Sequence, residues 1–524
     1  MTNIHSRVCV RVFAISFSIS YFVVMSSSLN VHAADWNSFR NGGNSTAEGN
    51  YPTSWSPDSG VAWQRETPGY GQSCPVIKDD HIFVTAVIGN QKETCLIICY
   101  RLVDGDEVWK YSHDATSTGP STYMMSRAAP TPIVDDRGVY AFFENGDVMG
   151  VDHSGNKLWS RSLTQEYGAF DSRHGLGSSP AHNADSLFLN VEHGGESYLL
   201  AIDKQTGENM WKAARPSGSS WTSPVVAETK QGEQLVVSSN ETVSGFAAET
   251  GKLLWSLEGI AGNSVPSPLV HDNRILIGAR ASEFGSASAA AKSNLCFEIP
   301  DSSSSVPDII WRARKAVCHY ASPVYCEGCA YFLNDGGILY CLDWETGEEH
   351  YVKRIGTSCW TTPVVVDDRL FFFGKDGQTV IIRGGPKYQS ENVSQLWNPE
   401  EPPVPEEYQE AASEQSSADQ SPADSGPSRF LKRLLGGDTN DDGQLSREEL
   451  PVSMQSSFEK TDLNADGVLD QDELGQIEVA FRKRRENSRS SSRDPIVYGV
   501  SAANGRFVVR TGTRLFCISG DETP

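Results

Sequence analysis

The chain has 524 residues and a formal net charge of −23 at pH 7, and 38% of its residues are hydrophobic. That hydrophobic share is ordinary for a folded protein and excludes wholesale disorder. A chain of this length is expected to form several folding units or one large repeat architecture. The acidic balance argues against nucleic-acid binding through a broad basic surface, because phosphate contacts need clustered Lys and Arg.

The first 33 residues have the pattern of a secretory signal peptide. Arg7 and Arg11 precede an apolar run at residues 12–25, and a cleavage-site pattern follows at residues 31–33. The apolar run is shorter than the roughly 20 residues that a membrane-spanning helix needs. We therefore expect cleavage after Ala33, export to the periplasm or the cell exterior, and no transmembrane segment in the mature chain.

Cysteine usage leaves two alternatives open. The chain has 11 cysteines, and ten remain once Cys9 is removed with the signal. An even number in an oxidising compartment permits disulfides but does not determine their pairing. Cys95 with Cys99, and Cys326 with Cys329, are close enough in sequence to pair. The alternative is that these cysteines are buried as free thiols.

Two markers recur along most of the chain. One is a proline, usually preceded by Ser or Thr, that opens a β-branched run; we call these the marker prolines: Pro75, Pro132, Pro180, Pro224, Pro268, Pro323 and Pro363. The other is an aromatic residue, in most units preceded by a Gly turn: Trp63, Trp109, Trp159, Trp211, Trp255, Trp311, Tyr351 and Trp397. The aromatic residues are 40 to 56 positions apart. Units of this size hold about four short strands, the content of one propeller blade.

The repeat resembles a known family. Its clearest copy is DKQTGENMW at residues 203–211. This pattern is similar to the PQQ-like (quinoprotein-type) β-propeller repeat, with its x-S-P-V opening and D-x-x-T-G-x-x-x-W closing strand. Related repeats occur in quinoprotein alcohol dehydrogenases and in BamB, an outer-membrane assembly protein. The resemblance covers about residues 36–398 and 494–520 and implies an all-β, eight-bladed β-propeller.

The two ends of the repeat region are complementary. Residues 498–518 read as three inner strands that lack a closing Trp strand, whereas residues 61–63 read as a closing strand without its inner three. Joining them completes an eighth blade and closes the ring, which removes exposed sheet edges. We therefore assign residues 34–398 to the propeller and residues 494–524 to its last blade.

An insertion separates these two parts of the propeller. Residues 399–428 are rich in Pro, Glu, Ser and Ala, which predicts a disordered acidic linker. Residues 429–482 are predicted to form a small α-helical EF-hand pair, and residues 483–493 a basic Ser/Arg linker. The insertion therefore interrupts the chain just before the last blade.

The EF-hand prediction rests on two twelve-residue loops. Residues 438–449 and 462–473 both match D-x-[DN]-x-[DN]-G-x5-E. Calcium takes six to eight oxygen ligands, and such a loop supplies them from positions 1, 3, 5, 7 and 12. The predicted ligands are Asp438, Asn440, Asp442, Gln444 (backbone carbonyl), Glu449, Asp462, Asn464, Asp466, Val468 (backbone carbonyl) and Glu473, with Ser446 and Asp470 acting through water. We expect two calcium ions, with tighter binding in the second loop because Asp470 adds a carboxylate.

The resemblance implies two possible functions. One is a non-enzymatic scaffold that binds a protein or polysaccharide partner, as BamB does; the other is a PQQ-dependent quinoprotein dehydrogenase with a diverged active site. Dehydrogenases of that family carry adjacent cysteines beside the quinone, and this chain has none. It also has no cytochrome CxxCH, HExxH or G-x-S-x-G motif. We expect the scaffold, do not favour PQQ as a cofactor, and assign no catalytic or cofactor-binding residue.

Overall fold

The computed structural model describes residues 35–121, 125–280, 287–300, 307–403 and 494–520, with parts of 438–476. The predicted signal peptide and the basic linker at 483–493 lie outside the described residues, as does the acidic linker beyond residue 403. The helices are short: α1 (Arg40–Gly43), α2 (Leu163–Tyr167), α3 (Ala287–Lys292) and α4 (Phe458–Thr461). Within this part of the chain, no helix is long and apolar enough to cross a membrane.

Eight antiparallel blades form an all-β propeller. Two strands precede the first complete blade: β1 (Thr46–Ala47) and β2 (Val61–Glu66). Blade 1 contains β3 (Val76–Lys78), β4 (His81–Ile88), β5 (Thr94–Arg101) and β6 (Glu107–Asp114), and blade 2 contains β7 (Ile133–Val134), β8 (Val139–Phe142), β9 (Asp147–Val151) and β10 (Lys157–Ser162). Blade 3 contains β11 (Ala181–His182), β12 (Ser186–Val191), β13 (Ser197–Asp203) and β14 (Asn209–Arg215). Blade 4 contains β15 (Val225–Thr229), β16 (Gly232–Ser239), β17 (Thr242–Ala247) and β18 (Leu253–Glu258).

The remaining blades follow the same order. Blade 5 contains β19 (Leu269–His271), β20 (Arg274–Ile277), β21 (Leu295–Glu298) and β22 (Ile309–Arg312). Blade 6 contains β23 (Val324–Cys326), β24 (Cys329–Leu333), β25 (Ile338–Asp343) and β26 (Glu349–Arg354). Blade 7 contains β27 (Val364–Val366), β28 (Arg369–Phe373), β29 (Gln378–Arg383) and β30 (Gln389–Gln395). The insert contributes β31 (Leu445–Ser446) and β32 (Val468–Leu469), and blade 8 contains β33 (Gly499–Ala503), β34 (Arg506–Arg510) and β35 (Arg514–Ser519). In every blade the strands pair antiparallel with their neighbours along the chain.

Burial within a blade explains the repeat. The second strand of blade 3, β12, is buried at all six positions, whereas the fourth strand, β14, has no buried residue and alternates between exposed and half-buried. A strand covered on both faces needs a continuous apolar run, and one exposed to solvent needs polar residues. The β-branched runs after the marker prolines therefore form the inner strands, and the polar strands ending in aromatic residues form the rim.

A relay of hydrogen bonds joins the blades around the axis. In each case the N–H of the residue before one marker proline donates to the hydroxyl of the same residue in the next blade. The pairs are Cys74 to Thr131 (3.0 Å), Thr131 to Ser179 (3.0 Å), Ser179 to Ser223 (2.9 Å), Ser223 to Ser267 (2.9 Å), Ser267 to Ser322 (3.0 Å) and Ser322 to Thr362 (3.2 Å). The Ser or Thr of the sequence marker is therefore the acceptor that satisfies a backbone donor of the preceding blade.

A second set of contacts joins the blades at the rim. The Trp159 indole N–H donates to the Lys204 carbonyl of the next blade (2.8 Å), and its ring lies on Gly207. Gly207 has φ +75°, and a Cβ there would lie 2.6 Å from the ring, so both the turn and the contact need glycine. The same donor and glycine arrangement occurs for Trp63, Trp109, Trp211 and Trp311.

Blade 8 contains strands from both ends of the repeat region. β2 pairs antiparallel with β35, with Trp63 opposite Cys517. Trp63 also donates to the Leu102 carbonyl of blade 1 (3.0 Å). The fully buried Arg510 of blade 8 donates to the Thr85 carbonyl of blade 1 (2.6 Å). The contacts between blades 8 and 1 therefore resemble those between consecutive blades.

Residues 35–47, which we call the axial segment, cross the inner strands. Trp36 exchanges backbone hydrogen bonds with Ile77 of blade 1 (2.9 and 2.8 Å). Arg40 donates to the Pro268 carbonyl of blade 5 (3.1 Å), and Ser45 donates to the Pro363 carbonyl of blade 7 (2.7 Å). The segment ends in β1, which runs parallel to β27. The sequence analysis did not anticipate that this stretch reaches the centre of the propeller.

The cysteines that the structure describes are all free thiols. Cys95 and Cys99 lie on the same strand, β5, four residues apart, which is too far for a disulfide. Cys326 and Cys329 face each other across the β23–β24 hairpin and are also unbonded. The described cysteines are therefore thiols, of which all but the half-buried Cys74 are buried.

Candidate functional site

The two predicted metal loops have matching backbones. Gly443 and Gly467, each at position 6, have φ of +79° and +87°, values that favour glycine. The N–H of Gly443 donates to Asp438 Oδ2 (2.9 Å), and that of Gly467 donates to Asp462 Oδ2 (3.0 Å). The first carboxylate of each loop is thus held over the turn by the same hydrogen bond.

The middle ligands are held by a second repeated pattern. Each side-chain oxygen at positions 3 and 5 accepts the backbone N–H two residues further on. The bonds run from Asp442 to Asn440 (3.1 Å), Gln444 to Asp442 (2.8 Å), Asp466 to Asn464 (3.0 Å) and Val468 to Asp466 (3.0 Å). These bonds hold the side-chain oxygens at positions 3 and 5 in the same way in both loops.

The glutamates at position 12 also occupy equivalent places. Glu449 Oε2 accepts the backbone N–H of Ser446 (2.9 Å), and Glu473 Oε2 accepts that of Asp470 (3.1 Å). Glu473 is 4% exposed, and its Oε1 also accepts the N–H of Asn464 (3.3 Å). The last residue of each loop therefore folds back over the loop.

A short β-bridge joins the loops. β31 and β32 pair antiparallel, with Leu445 opposite Leu469, and both side chains are fully buried. Leu450, Phe458 and Leu474 are also buried. Both leucines stand at position 8 of their loops, so the bridge joins equivalent positions.

The donor set fits calcium, although no close cluster is present. Among the residues described, no three His, Cys, Asp or Glu side chains are gathered closely enough to hold a metal ion. Each loop nevertheless offers carboxylate, amide and carbonyl oxygens in the spacing that calcium requires. The residues that would hold the ions are those predicted: Asp438, Asn440, Asp442, Gln444 and Glu449 in one loop, and Asp462, Asn464, Asp466, Val468 and Glu473 in the other.

The axis of the propeller contains a cavity of about 610 Å³. All eight blades contribute to its lining, and Trp36, Phe39, Arg40 and Ser45 of the axial segment contribute as well. We call it the axial cavity. Its volume is within the roughly 300–1,000 Å³ range of small-molecule sites.

The positive groups of the axial cavity are not balanced by acids. Arg40 and Arg280 line it, and no Asp or Glu is among its described lining residues. Arg40 is 3% exposed, and burial lowers the pKa of its guanidinium to about 9. Arg40 therefore remains charged at neutral pH. A second cavity of about 460 Å³ also borders the axial segment, and it includes Glu228 and Glu233.

Aromatic rings form much of the wall of the axial cavity. Tyr320 and Trp360 have ring centroids 5.3 Å apart, and Trp360 and Tyr498 have centroids 5.7 Å apart. On another part of the wall, His174 and Trp221 are 6.1 Å apart. The ring planes of these pairs meet at 45°, 53° and 52°, so the rings form a curved surface.

The sequence analysis missed these cavity residues, although a signal for them exists. In every blade with a marker proline, the residue three positions before that proline lines the axial cavity. These residues are Gln72, Ala129, Gly177, Trp221, Val265, Tyr320 and Trp360. Counting back three positions from each marker proline would therefore have identified these residues of the axial-cavity wall.

Comparison with known proteins agrees with this architecture. Residues 46–174 and 154–290, just under half of the chain, match the family model described as outer membrane protein assembly factor BamB. The chain is 20% identical over 265 residues to the tetrathionate hydrolase of Acidithiobacillus ferrooxidans, over 46% of this chain and 48% of that protein. It therefore spans about half the length of this curated relative.

One solved structure shows the same fold at low identity, and a second is similar over part of its length. BamB from Moraxella catarrhalis matches with a TM-score of 0.50 and 10% identity, over 88% of this chain and 98% of that one. A quinohemoprotein alcohol dehydrogenase from Pseudomonas putida HK5 is 12% identical, with a TM-score of 0.45, over 69% of this chain and 72% of that one. The chain is an eight-bladed β-propeller with PQQ-like repeats.

Proposed function

We propose that this protein is an exported, calcium-binding β-propeller that acts as a scaffold for a protein or polysaccharide partner. The observation that carries the proposal is the axial cavity, which is lined by rings and hydroxyls and, in the described residues, by no Asp or Glu. A quinoprotein dehydrogenase needs a carboxylate base beside its quinone. A cavity without one is suited to binding. The match to a family described as an assembly factor supports a partner-binding role.

The proposal includes closure of the ring by the ends of the repeat region. Its support is that Trp63 of β2 contacts blade 1 as the other rim tryptophans contact their next blade. Closure leaves no open sheet edge and makes the axial cavity a fixed feature of a rigid frame.

The proposal also includes two calcium ions in the insert. Its support is the set of equivalent hydrogen bonds that holds the oxygens of both loops. Calcium bound there would supply charge neutralisation and bring the oxygens of each loop together. Extracellular calcium modules bind with Kd values of about 10⁻⁴–10⁻³ M, which suits constant occupancy after export.

Native mass spectrometry of the mature chain with calcium and PQQ tests this proposal. We expect two bound calcium ions and no bound quinone. The matched control is a double variant, Asp438→Asn with Asp462→Asn, which should lose the calcium and keep the propeller spectrum by circular dichroism. A bound quinone would contradict the scaffold and favour the quinoprotein dehydrogenase. Absence of calcium would contradict the metal site.

A further inference from the structure

The charge inside the axial cavity is opposite to that of the whole chain. The protein carries a formal charge of −23, yet the cavity contains two arginines and no described Asp or Glu. Arg40 is buried, Arg280 is exposed, and neither forms an ion pair with a carboxylate among the described residues. Backbone carbonyls of Pro268 and Gly43 accept hydrogen bonds from Arg40, but a buried charge with no opposite charge beside it is still costly, so this positive site favours an anionic ligand.

The cavity is also rich in hydrogen-bond donors. Trp36 Nε1 and Arg40 Nε belong to buried lining residues, and neither has a hydrogen-bond partner in the described part of the chain. Ser267 and Ser322 each accept a backbone N–H in the relay and keep their own hydroxyl hydrogen to donate. The Gln72 side-chain carbonyl already accepts the Arg127 N–H (2.9 Å). The unpartnered donors of Trp36 and Arg40 therefore favour a ligand that brings acceptor oxygens.

The shape of the aromatic wall further restricts the class of ligand that the axial cavity can bind. The rings of the contacting pairs Tyr320–Trp360, Trp360–Tyr498 and His174–Trp221 are tilted by 45° to 53°, so they present a faceted apolar wall. A puckered pyranose ring can place its apolar C–H faces on the separate facets of such a wall while its oxygens face the donors.

We infer that the axial cavity binds an acidic saccharide, a short sugar chain bearing carboxylate groups. This inference deepens the proposed scaffold function and rests on it. A uronate carboxylate accepts hydrogen bonds from Arg40 and Trp36, and Arg280 contributes a second positive group. The sugar rings pack against Trp360 and Tyr498. Neutral sugars bind more weakly, because they carry no charge that can pair with Arg40 and Arg280.

Isothermal titration of the full mature chain with trigalacturonic acid, and with neutral galactotriose as the matched ligand, tests this. We expect the acidic sugar to bind at least about tenfold more tightly than the neutral one, with affinity falling as salt rises. Equal affinity for both sugars, or binding that salt does not change, would overturn the inference.

Variants locate the site without relying on the buried Arg40. Arg280→Gln, at an exposed residue, and Trp360→Ala should each weaken acidic-sugar binding about threefold or more. Arg65→Gln, a change at an exposed arginine on β2, is the matched control and should leave binding unchanged. Full binding by both Arg280→Gln and Trp360→Ala, each verified as folded by circular dichroism, would overturn the assignment to this cavity.

Because uronates also bind calcium, the titration is repeated with the double variant Asp438→Asn and Asp462→Asn. Sugar binding should persist; its loss there would move the site to the calcium loops and overturn the inference. No sugar binding by a protein that holds two calcium ions would overturn this inference alone. A quinone that displaced the sugar would overturn the proposed scaffold function as well.

Discussion

The propeller and the insert are both built from repeated units, and their repeated polar groups serve different ends. In the propeller, the hydroxyl before each marker proline from Pro132 to Pro363 accepts a backbone N–H of the preceding blade, so one blade's polar group satisfies another's. In the insert, the oxygens of Asp438, Asp442 and Glu449 accept N–H groups of their own loop. The propeller is therefore stabilised by contacts within the chain, whereas we propose that the insert is arranged for an added cation.

The difference also appears in the apolar cores. The inner strands of the blades form successive buried clusters, each shared by neighbouring blades. The described core of the insert is small, with Leu445, Leu469, Leu450, Phe458 and Leu474. Small cores seldom stabilise a fold by themselves and often depend on metals. We therefore expect the propeller to tolerate chelators and the insert to respond to them.

The largest expected effect tests whether blade 8 is held like the other blades. Trp63→Ala and Trp311→Ala remove matched rim tryptophans, which are 7% and 5% exposed. Each should lower the free energy of unfolding by about 3–5 kcal/mol, measured by urea denaturation. Leu253→Ala, at a residue 52% exposed, is the control and should change little. A much smaller cost for Trp63→Ala than for Trp311→Ala would argue against ring closure.

The next effect concerns a propeller site that depends on protonation. His182 Nδ1 lies 3.0 Å from the Lys204 amine, and burial, together with that charge, lowers the pKa of His182 from 6.5 to about 4. Below about pH 6.5 the His182 imidazole takes up a proton in the unfolded chain, whereas in the folded protein it stays neutral until about pH 4. The stabilisation that neutral His182 provides is therefore complete above about pH 6.5 and is lost as the pH falls towards 4, by up to about 3 kcal/mol.

His182→Gln should remove this pH dependence. The difference in unfolding free energy between the native protein and the variant should shrink between about pH 7 and about pH 4.5, measured by urea denaturation. A difference that stays constant over that range would contradict the assignment to His182.

A smaller effect tests the hydroxyl relay. Ser223→Ala removes the acceptor of the Ser179 N–H, and both residues are buried. The unsatisfied N–H should cost about 1–3 kcal/mol in the free energy of unfolding. Ser223→Thr keeps the hydroxyl, as Thr131 and Thr362 do in other blades, and should restore most of the stability. Equal losses for both variants would indicate that packing, and not the hydrogen bond, matters at this position.

The smallest expected effect concerns calcium affinity in the insert. Glu473→Gln and Glu449→Gln each replace one carboxylate at position 12. Each should raise the Kd of one calcium site about tenfold or more, which is about 1.4 kcal/mol, measured by isothermal titration. Glu345→Gln, at an exposed residue on the β25–β26 turn, is the control. A two-site isotherm unchanged by both loop variants would contradict the ligand assignment.

Much of the propeller could be predicted because its signals are local and repeated. Pro180 and Trp211 bracket one blade, and the Gly207 turn between them has a required positive φ. The eight-bladed fold follows from counting such units. The axial segment was missed because Trp36 and Arg40 lie in a stretch without the repeat markers, and their contacts are with blades distant in sequence.

The sequence by itself determined the number of blades, and it predicts the residues of the calcium loops. Both depend on short-range chemistry: a turn that needs glycine, and oxygens spaced within twelve residues. Only the tertiary structure decided that Arg40, Trp360 and Tyr498 share one cavity. Residues so far apart in sequence meet because the propeller directs the start of every inner strand to a common axis, which no local pattern can specify.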